Sequence, residues 1–89
     1  MMMKKIIKHM FEEKEDFYEY LHMYKECSDP AVKSELRKIA EEEMHHYKHL
    51  HDIAFGKADV EHMSMIERGV YDYATATYLD MLKQLEQTK

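Results

Sequence analysis

Apolar residues recur at helical spacing along most of the chain. From about Lys4 to Cys27 they fall at Ile6, Met10, Phe17, Tyr20, Tyr24 and Cys27, in steps of four, seven, three, four and three. Steps of three and four keep side chains on one face of an α-helix. The step of seven passes over position 13, where the period calls for a seam residue and the chain has Glu13. A second row, Ile7, Phe11, Tyr18 and Leu21, widens the apolar face to that of a bundle helix. The opposite face carries Glu12, Lys14 or Glu15, Glu19, His22 and Glu26.

Ser28-Asp29-Pro30 interrupts this helix. Asp is a favoured N-cap and Pro a favoured first helical residue, so a second helix is expected from Pro30 to about Phe55. The short connection predicts an antiparallel hairpin. The second seam is Leu36, Ile39, Leu50 and Ile53, and three-four stepping between Ile39 and Leu50 lands on Glu43 and His46. Gly56 reads as a left-handed C-cap. Asp59 reads as the cap of a third helix, from about Val60 to Gln87, with a looser seam of Val60, Met63, Ile66, Val70, Ala74, Thr77 or Tyr78, Met81 and Leu85. Gly69, within it, marks a kink or a close helix crossing. The tail from Glu86 should fray.

Composition agrees with an all-α reading. Two Gly and one Pro leave little material for turns, and Glu, Lys, Met, Leu and Ala favour helix. Eighty-nine residues make one domain with a marginal core, for which a metal or a second chain is a reasonable supplement. The net charge of -5 and the lack of a basic run argue against nucleic acid. No apolar run approaches the ~18 residues of a membrane-spanning helix. The single cysteine, Cys27, excludes an internal disulfide, and with no signal-peptide pattern at the start the expected location is cytoplasmic.

Glu13, Glu43 and His46 are ionisable groups set into apolar seams, and buried charges need partners. Folding the hairpin about Ser28-Asp29 brings Glu13 level with Glu43 and His46, so three independent interruptions meet at one height. Carboxylate-x-x-His spacing alone decides little, since it occurs four times: Glu19 to His22, Glu42 to His45, Glu43 to His46 and Asp59 to His62. Only Glu43 and His46 lie in the seam. Two carboxylates and an imidazole suit a divalent first-row metal such as iron, manganese or zinc, and they leave its coordination shell unfilled. A di-iron carboxylate bundle takes a Glu from each of two helices and a Glu-x-x-His from each of the other two. This hairpin supplies half, and a two-fold homodimer would supply the rest. The competing reading is a metal-free polar cluster that sets helix register. His45, His49 and His51 read as solvated, the methionines as packing, and Tyr20 and Tyr47 as core residues near the level of the cluster.

The stretch Asp29-Pro30-Ala31-Val32-Lys33 through Ile39-Ala40, Glu43, His46 and Leu50 resembles the second helix of rubrerythrin-like members of the ferritin-like superfamily. Glu13 followed by Tyr20 resembles their first helix. No second seam Glu-x-x-His follows Leu50, and that departure makes the chain most similar to the encapsulated ferritins. The resemblance implies a long antiparallel hairpin plus a third helix, dimerising into a ferritin-like four-helix bundle. It implies a di-iron ferroxidase centre between two chains, with Glu13, Glu43 and His46 as ligands, Glu12 and Glu15 near the path of metal uptake, and Tyr20 beside the ligands. It further implies dimers joined in a larger ring and an encapsulin-type shell as partner, placing the protein inside a protein nanocompartment. Leu85-Glu86-Gln87-Thr88-Lys89 does not match the docking tag of that family. The alternatives are rubrerythrin-like peroxide reduction at the same site, although no Cys-rich electron-transfer module is present, and a non-catalytic, metal-stabilised helical oligomer.

Overall fold

Two long helices and a shorter third account for nearly all of residues 2–88, which the structure, a computed structural model, describes. The first helix, α1, is Met2–Glu26, and the second, α2, is Pro30–Phe55. Asp29 caps α2 as its residue type requires. Its Oδ1 accepts from the backbone N–H groups of Ala31 at 2.9 Å and Val32 at 3.3 Å, and Pro30 occupies the first turn. With only three residues between them, α1 and α2 fold back as the expected hairpin.

The end of α2 differs from its sequence reading. Gly56 has φ -60° and is right-handed, not left-handed. Glycine suits it for another reason: a Cβ there would stand 2.4 Å from the Asp52 carbonyl oxygen. The third helix also begins later than expected. Val60–His62 forms a single 3₁₀ turn, and α3 runs over Met65–Glu86. Asp59 makes no capping bond and pairs instead with His62. The cap of α3 is Ser64, in a reciprocal capping box with Glu67. Gly69 does not mark a close helix crossing, since a Cβ there would meet nothing within 4 Å.

Helix α3 lies along one face of the hairpin, parallel to α1 and antiparallel to α2. Its middle is held by Lys14 Nζ donating to the Tyr73 hydroxyl, Tyr18 donating to Asp80, and Tyr47 donating to the Ala74 carbonyl at 2.6 Å. Its far end is held by the Tyr24 hydroxyl on the Thr88 carbonyl and by Arg37, which bonds the Leu85 carbonyl, the Thr88 hydroxyl and Glu41. The Leu85 carbonyl, near the C-terminus of α3, thus accepts from Arg37 as well as from the Thr88 N–H and hydroxyl. The core between the three helices is Met10, Phe17 and Leu21 from α1, Ala40, Met44, Tyr47 and Ala54 from α2, and Ala74, Met81 and Leu85 from α3. No described buried side-chain nitrogen or oxygen lacks a hydrogen-bond partner.

The row of α2 that is buried is therefore not the predicted seam. Ala40, Met44, Tyr47 and Ala54 face α3, while Leu36, Ile39 and Leu50 are half-buried and Ile53 is exposed. On α1, Ile6, Tyr20 and Cys27 are likewise half-buried, in the same seven-residue register as Glu13. The hairpin has one covered face and one open apolar face. The radius of gyration is 14.6 Å, against roughly 12 Å for a compact domain of this length, so the single chain is elongated and its core thin. No described helix is long and apolar enough to cross a membrane.

Candidate metal centre

The open face carries the polar cluster. Glu13 projects from the middle of α1, and Glu43 and His46 from successive turns of α2, level with it as the hairpin geometry requires. One ligand atom from each lies within 4.8 Å of the other two, and among the described residues this is the one such group of three His, Cys, Asp or Glu side chains. His46 Nδ1 stands 3.7 Å from Glu13 Oε2. Metal bonds of about 2.0–2.2 Å place two ligand atoms on one ion at most ~4.4 Å apart. The His46–Glu13 pair already meets that limit. The His46 side chain is 60% exposed and that of Glu13 26% exposed, so the imidazole lies at the solvent side of the cluster.

Electrostatics mark the cluster as a place for a cation. Burial, then a hydrogen bond and charge repulsion from Glu13, push the Glu43 carboxyl up to about 7, with Asp16 and Glu42 adding further negative charge. Near neutral pH a proton therefore partly offsets the repulsion between two adjacent carboxylates. A divalent ion offsets it more fully and uses the same oxygens. The imidazole would add a nitrogen donor, which suits first-row transition metals better than magnesium or calcium.

The other expected residues have separate places. Tyr20 is half-buried on the open face and makes no hydrogen bond among the described residues, while Tyr47 is fully buried and points away, into the α3 interface. Glu12 and Glu15 are exposed on α1, Glu12 3.9 Å from His9. Glu42 and His45 flank the cluster, with His45 3.9 Å from Glu41, and His22 pairs with Glu26 on the solvent side of α1. His51, read as solvated, is half-buried. Its Nε2 is 2.9 Å from the Thr75 hydroxyl, and its ring stacks edge-on with Phe55. Its place beside the buried Met44, Tyr47 and Ala54 row was visible in the spacing, since 47, 51 and 54 are helical neighbours.

A cleft of about 310 Å³ opens beside the cluster, between Glu13, His46, His49, Leu50 and Ile53. A larger cavity, about 840 Å³, lies at the far end between the start of α1, the end of α2 and the start of α3. Its walls are mostly apolar, including Ile7, Phe55, Met63, Ile66 and Val70.

Comparison with known proteins gives no match: no protein-family model fits the chain, and neither a curated protein nor a solved structure is significantly similar to it.

Proposed function

We propose that this chain is an iron-binding ferroxidase of the ferritin-like type, which works as a homodimer with a di-iron site shared between two copies, in iron storage or detoxification. The observation that carries the reading is the convergence of Glu13, Glu43 and His46 at one level of the hairpin face that α3 leaves open.

Three ligand atoms would leave a first-row ion with open positions, and of the three residues that would hold it His46 is the exposed one. The same face carries Ile6, Tyr20, Leu36, Ile39, Leu50 and Ile53, which one chain buries only in part. A second copy related by a two-fold axis would cover these residues and set four carboxylates and two imidazoles about two ions. Iron is then the substrate: each Fe(II) loses one electron to become Fe(III), with dioxygen or a peroxide as acceptor. The protein's own part is to hold the ions between Glu13 and Glu43, offset their charge with carboxylates, and keep bulk water away with the apolar flanks.

The test is Fe(II) oxidation followed by ferric absorbance, in wild type and in Glu43→Gln, which keeps the shape and removes the charge. Rapid saturable oxidation in wild type that falls to the buffer rate in Glu43→Gln supports the reading. Equal rates in both overturn it.

A further inference from the structure

We propose that His49 is a fourth protein ligand, recruited when a metal ion binds Glu13, Glu43 and His46. The inference rests on the metal-site reading above and adds a residue to it.

The cleft beside the cluster is walled by Glu13 and His46, by Leu50 and Ile53, and by His49, which is thus its one polar group from outside the cluster. His49 stands one helical turn beyond His46, where side chains are neighbours about 5–6 Å apart at Cβ. Side chains on a helix lean toward its N-terminus, so the His49 imidazole is inclined back toward His46 and Glu43.

His49 is also weakly held. It is exposed, and among the described residues it makes no hydrogen bond and no ion pair. Each of the other six of the chain's seven histidines has such a partner. Its ring nitrogen lies outside the 4.8 Å group formed by the other three, so the proposal requires a side-chain rotation on metal binding, at the expense of its charge interaction with Asp52 alone. The result is a ligand set of two carboxylates and two imidazoles from one chain. The added nitrogen donor favours ions such as Co(II), Fe(II) and Zn(II) over Mn(II), which prefers oxygen.

Co(II) tests this without any catalytic readout. Its paramagnetism moves the exchangeable ring N–H signal of each ligating histidine far outside the normal proton spectrum. Saturated with Co(II), wild type should show two such signals per chain, and His49→Ala one. His49→Ala should also bind Co(II) about tenfold more weakly or worse, with a smaller loss for Mn(II). His49→Gln, equally exposed and helix-compatible, should behave as His49→Ala does and thereby exclude a folding defect. Tight Co(II) binding with one shifted signal in wild type, unchanged in His49→Ala, overturns the assignment of His49 while leaving the three-residue site standing. Absence of saturable Co(II) binding in wild type overturns both.

Discussion

The two faces of the α1–α2 hairpin are built from the same helices and follow different rules. On the face beneath α3, the side chains are small, flexible or aromatic, and every described buried polar atom is bonded. Tyr47 is fully buried there only because its hydroxyl reaches the Ala74 carbonyl. On the opposite face, a carboxyl pair sits among half-buried apolar residues, and repulsion raises the affinity of Glu43 for a proton. The covered face is finished within one chain. The open face joins apolar surface to unbalanced charge, and under the function proposed above each would be relieved from outside, the surface by a second chain and the charge by a cation.

Perturbing the finished face should have the largest effect. Phe17 is fully buried, so Phe17→Ala is expected to cost about 3–5 kcal/mol in urea unfolding, much of the stability of a domain this small. On the open face, Glu43→Gln should weaken Fe(II) or Co(II) binding at least ~100-fold by calorimetry. The metal-free melting temperature should hold or rise, because the repulsion with Glu13 is removed. A matching fall in metal-free stability would show that the cluster is structural. Ile53, 54% exposed, sharpens the contrast further: Ile53→Glu should change monomer stability by less than about 0.5 kcal/mol and still abolish dimers in sedimentation.

Two smaller effects concern the contact of α2 with α3 and α3 itself. Burial holds the His51 imidazole below its ordinary value of 6.5. Between the folded and unfolded values the unfolded chain binds more protons, so this contribution to stability is complete above pH 6.5 and is lost as pH falls through the folded value. Melting temperature should drop on acidification below pH 6.5, and His51→Gln should flatten that part of the profile. Gly69 occupies an exposed helical position with open space at its Cβ, so Gly69→Ala should stabilise by roughly 0.4–1 kcal/mol, read from the urea midpoint.

The cluster was legible in the sequence because Glu13, Glu43 and His46 break a period, and a broken period is visible without knowing what lies opposite. The covered face was not. Ala40, Met44, Tyr47 and Ala54 form a row as regular as Leu36, Ile39, Leu50 and Ile53 but less apolar, and only the position of α3 decides which row is buried. Local signals competed in the same way after Phe55. Both Asp59 and Ser64 are suitable caps, and the reciprocal bond with Glu67 makes Ser64 the start of α3. The spacing sets His51 beside Tyr47 and Ala54, but that this row rather than the other is the covered one follows only from the position of α3, whose Thr75 hydroxyl meets the imidazole.

Native mass spectrometry during an anaerobic Fe(II) titration tests the central claim most directly, because it counts chains and ions in one particle. The account predicts dimers that saturate at about two irons, with iron promoting their formation. Monomers that each saturate with iron while showing no tendency to pair would contradict the shared site.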